Sequence, residues 1–213
     1  MVPVGVGRNP YGWNNTVIAI CIVVYLIKIL TELLGLTAPV GYGNIVDYVL
    51  ALNPLMILKM PWQIVTSIFV HADFWHLFIN MFVLFLFGSE LERRLGEKRY
   101  LTIFFLSGLA GSFAYLVYAL STYPFIPAMG ASAAIFGVMG ALAMIAPNIR
   151  VIIFPFPFPV SIKFAILLFA FIDLILLPFS YRTGVAHVAH LAGLLVGLYL
   201  GKKYRVRFFY VYY

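Results

Sequence analysis

Four side chains could do chemistry if a fold brought them together. His76 and Asn80 stand four residues apart, so a helix would carry both on one face. Ser132 lies in Gly130-Ala131-Ser132-Ala133, and His190 stands three residues before Gly193. A serine hydroxyl is a poor nucleophile at neutral pH until a neighbouring imidazole can take its proton. An amide NH2, an imidazole N–H and the free backbone N–H groups at a helix start are the donors an oxyanion needs. The set therefore reads as Ser132 nucleophile, His190 general base, and His76, Asn80 and the Ser132 backbone as oxyanion donors. Asp173 is the only candidate third member of a triad. Seventeen residues and a loop separate it from His190, so it is expected to be a structural polar residue and the machinery a dyad.

The composition says what must position these residues. Of 213 residues, 64% are hydrophobic and 10% charged, far from the roughly 45–50% and 25% of soluble domains. The same values exclude disorder. A single cysteine, Cys21, permits neither an internal disulfide nor a cysteine-based zinc site. Six segments are apolar enough to span a membrane: about 15–35, 74–92, 99–120, 131–147, 160–178 and 185–201. The first has neither the basic flank nor the cleavage pattern of a signal peptide and is expected to stay. The expected fold is an all-α membrane protein, one six-transmembrane-helix bundle over 1–213, with no internal repeat.

Lys and Arg orient it. With the N-terminus inside, Arg8, Arg93, Arg94, Lys98, Arg99, Arg150, Lys202, Lys203, Arg205 and Arg207 fall on the cytoplasmic side, and only Lys59 and Arg182 outside. Both termini are then cytoplasmic in a multi-pass protein of the cell membrane. The net charge of +7 reflects this bias rather than nucleic-acid binding. The stretch from about 36 to 73 lies outside and is apolar enough to sink partly into the outer leaflet. Within the run Phe154 to Pro159, the Phe residues suit the interface; Pro147 ends the fourth span and Pro159 opens the fifth. The tail from Lys202 to Tyr213 reads as an interfacial anchor, and Lys28 as a partner of Glu32 or a snorkelling side chain.

With that topology, the second, fourth and sixth spans all enter from outside. His76, Asn80, Ser132 and His190 then fall at a similar depth. Gly193, Gly197 and Gly201 form one stripe on the sixth span, and Gly137, Gly140 and Ala141 keep the fourth thin. Small residues let helices in lipid approach closely, which would bring Ser132 within hydrogen-bond reach of His190.

These motifs resemble the rhomboid family of intramembrane serine proteases, in its minimal six-helix form, over roughly residues 60–201. His71-Ala72-Asp73-Phe74-Trp75-His76-Leu77-Phe78-Ile79-Asn80 is similar to the family's second-helix signature, and Glu92-Arg93-Arg94-Leu95-Gly96 to its Glu-x-Arg-x-Gly element. Gly130-Ala131-Ser132-Ala133 is similar to the Gly-x-Ser-x nucleophile motif, and Ala189-His190 through Gly193 to Gly197 to the Ala-His-x-x-Gly-x-x-x-Gly motif. Trp62-Gln63 departs from the family's frequent Trp-Arg. The resemblance implies the same roles for Ser132, His190, His76 and Asn80, and assigns none to His187; His71 is expected to be structural or water-facing.

The function these readings imply is cleavage of single-span transmembrane proteins near the outer face, with the lipid bilayer as the other partner. Water would reach Ser132 through a cavity between the second, fourth, fifth and sixth spans. No cofactor or metal is expected: no His-Glu-x-x-His occurs, and the histidines pair with Ser and Asn instead. The alternative is a catalytically inactive rhomboid-like protein that holds membrane clients. A transporter fits poorly, because few other charges lie within the spans.

Overall fold

A computed structural model describes residues 12–39, 43–153 and 158–209. Helix α1 is Trp13–Leu33, followed by short helices α2, Ile45–Leu50, and α3, Gln63–Thr66. Then come α4, Phe74–Leu95, and α5, Glu97–Ser121. Helix α6 is Ser132–Ile145, α7 Ile162–Thr183 and α8 His187–Phe209. Strands β1, Arg150–Val151, and β2, Val160–Ser161, form a small antiparallel hairpin between α6 and α7.

The chain is thus an all-α membrane protein, and its six long helices lie where six spans were expected. Helices α1, α4, α5 and α7 are each long and apolar enough to cross a membrane. Two differ from expectation. Helix α6 has 14 residues, not the seventeen of 131–147. At 1.5 Å per residue it is ~21 Å long, short of a ~30 Å hydrocarbon core. Helix α8 runs past 201 to Phe209, so the basic tail continues the helix as far as it is described. Residues 154–157 of the Phe-Pro run, the end of the tail from 210, and Arg8 lie outside the described residues. Helix α7 opens at Ser161, whose hydroxyl accepts from the Phe164 N–H at 3.2 Å, rather than at Pro159.

Helices α6 and α8 make the tightest pair among the described residues, with α5 packed against both. Their facing stripes repeat every four residues: Ala133, Gly137, Ala141 on one and Gly193, Gly197, Gly201 on the other. A Cβ at Gly193 would fall on the Ala133 carbonyl, and one at Gly197 on the Gly137 carbonyl. The backbones themselves are in contact, which only glycine permits.

Two polar anchors hold the periphery. At one end of the bundle the Glu92 carboxylate accepts from the Trp13 and Asn14 N–H groups at 2.8 and 3.0 Å, capping α1. The Asn14 side chain presses on Gly88 and donates to the Leu84 carbonyl at 3.1 Å, where α4 widens into a π turn over Leu84–Gly88. At the other end Lys28 is buried, and it does not pair with Glu32. Its ammonium donates to Asp47 at 2.8 Å and to the carbonyls of His71 and Ala72 at 3.2 and 2.8 Å. An ammonium buried this deeply needs acceptors on every side, and the loop supplies them.

The described parts of the 36–73 stretch are correspondingly packed into the bundle. Ala51, Leu52, Asn53, Gln63, Ser67 and His71 are buried. Gln63 accepts from the Asn53 N–H at 3.0 Å and donates to the Tyr48 carbonyl at 2.9 Å, so a neutral amide at this position ties α2 to α3. Replacing Gly197 by Val should force α6 and α8 apart and cost about 2–3 kcal/mol of stability. A lower unfolding midpoint in detergent for Gly197→Val checks this.

Candidate active site

Ser132 is the first residue of α6, and the long loop sets its place. Leu52 and Ala128 exchange backbone hydrogen bonds at 2.9 and 3.0 Å, and the Gly130 N–H donates to the Ser67 carbonyl at 2.9 Å. Gly130 has φ +120°, and a Cβ there would stand 2.8 Å from the His76 ring. Glycine is therefore needed for both backbone and space. No side chain caps α6, so the N–H groups of its first turn, Ser132's among them, lack intrahelical partners.

His190 comes from the first turn of α8. Its Nε2 lies 2.8 Å from the Ser132 Oγ. The ring stacks on Phe136, centroids 4.5 Å apart and planes 12° from parallel. The contact sought from the small-residue stripes is thus present, and the stripes produce it: Gly193 seated on Ala133 sets the residues on either side, His190 and Ser132, against each other.

Asp173 and His187, which were expected to stand apart, are joined to this pair. The carboxylate of Asp173, buried on α7, lies 2.6 Å from His187 Nδ1 and 3.2 and 3.3 Å from His190 Nδ1. His187 Nε2 in turn lies 2.9 Å from the Thr183 hydroxyl. The separation of seventeen residues misled because α7 is not one uniform α-helix. Its α-helical part ends at Leu176, three residues past Asp173, and Pro178 forces a 3-10 turn over Leu177–Phe179. Gly184, with φ +68°, then turns the chain into α8. Pro178 and Gly184 were the available signals that the connection is compact.

These three side chains also place metal-type ligand atoms within 4.8 Å of one another. A tetrahedral zinc with ~2.0–2.1 Å bonds would hold its ligand atoms roughly 3.3 Å apart. The 2.6 Å His187–Asp173 contact is closer than that and is a direct hydrogen bond.

His76 and Asn80 sit on the first turns of α4, at the same cavity. The Asp73 carboxylate caps α4 by accepting from the His76 N–H at 2.9 Å. The Ala72 N–H donates to His76 Nδ1 at 3.4 Å. An imidazole accepting at Nδ1 carries its proton on Nε2, and that nitrogen lies beside Gly130 as a donor. Asn80 spends one amide N–H on the His76 carbonyl at 2.8 Å, and its second remains for other use.

A cavity of about 1220 Å³ opens onto Ser132, His190, His76 and Asn80. Its walls come from α4 (Ile79, Phe82, Val83), α5 (Tyr115, Tyr118), α6 (Phe136, Met139) and α7 (Phe169, Tyr181). It is a largely apolar trough with Ser132, His190, His76 and Asn80 together at one place and Glu90 and Arg150 also on its lining, a form that suits an extended, mainly apolar ligand.

A polytopic helical bundle with a serine–imidazole pair at the start of a short, glycine-packed helix is thus the class of protein in hand. The family model for the Rhomboid domain matches residues 58–207, and the chain belongs to the rhomboid family. It is 38% identical over 98 residues to "Rhomboid protease GluP" of Bacillus subtilis, covering 46% of this chain and 18% of that protein. It is 28% identical over 199 residues to "Rhomboid-like protease 1" of Toxoplasma gondii, covering 91% and 65%. It is also 37% identical over 81 residues to "Inactive RHOMBOID-like protein 8" of Arabidopsis thaliana, covering 38% and 22%. The chain spans less than two thirds of the length of each of these relatives.

His71, just ahead of α4, is buried with its ring edge-on to His76 at 5.1 Å. Burial, with the neighbouring His76 adding to it, pushes its pKa from 6.5 down to about 3. Above pH 6.5 neither folded nor unfolded chain protonates it. Between 6.5 and about 3 the unfolded chain takes up a proton that the native state refuses, so stability falls as pH drops through that window. Unfolding midpoints of wild type and His71→Phe across pH 7 to 4 should converge or cross as pH falls, because only the wild type carries this penalty.

Proposed function

We propose that this protein is an intramembrane serine endopeptidase cleaving transmembrane segments of single-span membrane proteins near the outer face. The observation that carries the reading is the 2.8 Å contact of Ser132 Oγ with His190 Nε2, open to a large apolar cavity. In the proposed mechanism Ser132 attacks the scissile carbonyl as His190 takes the hydroxyl proton at Nε2. The Ser132 backbone N–H, His76 Nε2–H and Asn80 N–H face the developing oxyanion. Collapse breaks the C–N bond, and His190 returns the proton to the leaving amine. Water then attacks the acyl ester, with His190 again as base.

A substrate helix hides its carbonyls in its own hydrogen bonds and must unwind to present one. The trough between α4 and α7 suits an unwound segment, and the family resemblance implies a small side chain before the cleaved bond. The Lys and Arg bias supports a multi-pass cell-membrane protein with both termini in the cytoplasm and the site toward the outer face. No cofactor is required by this chemistry. Two of the three relatives named are called proteases and one inactive. The inactive alternative would make this a client-holding protein, against which stands the presence of both Ser132 and His190.

The test uses purified protein with a panel of fluorescently labelled single-span substrates. Wild type should cleave, Ser132→Ala should lose at least about 10³-fold in kcat, and the unfolding midpoint should hardly move. Cleavage by Ser132→Ala at the wild-type rate would exclude the mechanism. Tight substrate capture with no cleavage by wild type would favour the client-holding reading.

A further inference from the structure

We propose that Asp173 is a positioning residue for His190, making the machinery a carboxylate-held relay rather than a bare serine–histidine pair. This rests on the endopeptidase reading above and deepens it.

A carboxylate buried among apolar helices is costly unless hydrogen bonds compensate it. No Lys or Arg pairs with Asp173 among the described residues; its partners are His187 Nδ1 at 2.6 Å and His190 Nδ1 at 3.2 and 3.3 Å. A carboxylate only accepts, so both nitrogens must carry the proton and donate it. The consequence for His190 is decisive. A neutral imidazole protonated at Nδ1 has its lone pair at Nε2, and Nε2 is the atom 2.8 Å from the Ser132 hydroxyl. Asp173 thereby selects the tautomer that can act as base. In the opposite tautomer Nε2 would be a donor, and it could not take the serine proton.

The remaining contacts fix the carboxylate itself. His187 donates to Oδ1 from Nδ1, and its Nε2 accepts from the Thr183 hydroxyl. The relay therefore runs Thr183, His187, Asp173, His190, Ser132, one donor per step, across α7, α8 and α6. Phe136 stacks on His190 and sets the plane of the ring. Stacking cannot choose between tautomers, because both rings are flat; only the Asp173 contact does. During attack the proton moves from Ser132 Oγ to His190 Nε2 while Nδ1–H stays on its nitrogen. The imidazolium that forms lies against a full negative charge, which stabilises it where water cannot.

The experiment measures kcat and KM for a cleaved transmembrane substrate in wild type, Asp173→Asn, Asp173→Glu and Asp173→Gln. Unfolding midpoints are taken for every variant. An amide can offer N–H to Nδ1 and so favours the wrong tautomer. Asp173→Asn should lower kcat on the order of 10²–10⁴-fold with KM nearly unchanged. Asp173→Glu, which keeps the charge, should recover much of what the size-matched Asp173→Gln loses, and this pair decides the matter if Asp173→Asn does not fold. Equal kcat for Asp173→Glu and Asp173→Gln would overturn the proposal. So would loss of wild-type activity to a chelator, which would assign the three side chains to a bound cation. Cleavage by wild type that persists in Ser132→Ala would instead strike the endopeptidase reading, independently of how the Asp173 variants behave.

Discussion

Everything at the site depends on two helix backbones touching. In lipid no hydrophobic force draws helices together, because the surrounding tails are as apolar as leucine; close packing must do it. Helices α6 and α8 achieve this with stripes of Ala and Gly in matching four-residue register, so that Gly193 lies on the Ala133 carbonyl and Gly197 on that of Gly137. Ser132 immediately precedes one stripe and His190 stands three residues before the other. The Ser132–His190 contact is an end effect of the packing.

Around that contact the molecule buries polar groups where an apolar protein can least tolerate them, and three of these are matched by partners on other elements. Lys28 finds Asp47 and two carbonyls, Asn14 finds Leu84 and Tyr100, and Asp173 finds two imidazoles. The first ties the long 36–73 stretch to α1. That stretch in turn holds the loop before Ser132 through Leu52–Ala128 and Ser67–Gly130. A chain of contacts therefore connects a lysine on α1 to the position of a hydroxyl on α6.

Much of this was legible in the amino-acid sequence because its signals are local or periodic. Apolar runs gave the six helices, glycine spacing gave the α6–α8 contact, and the Gly-x-Ser and His-x-x-x-Asn motifs gave the cavity-lining groups. What escaped was set by the shape of connections. A separation of seventeen residues does not reveal that Asp173 faces α8, because the 3-10 turn at Leu177–Phe179 and the turn at Gly184 decide how the chain returns. Helical spacing offers Lys28 either Glu32 or an outward-snorkelling path, but a residue on another helix, Asp47, holds it. The expected span 131–147 exceeds α6 by one residue at its start and two at its end, where the apolar run outlasts the helix: Ala146 caps it and Pro147 cannot continue it.

The central claim is that the Ser132 hydroxyl is activated by the imidazole of His190. Mass-spectrometric mapping of a fluorophosphonate probe on the purified protein tests it most directly. A single adduct on Ser132, lost when His190 is replaced by Ala, is the result the account requires. An adduct on another residue, or equal labelling of Ser132 in His190→Ala protein, would contradict it.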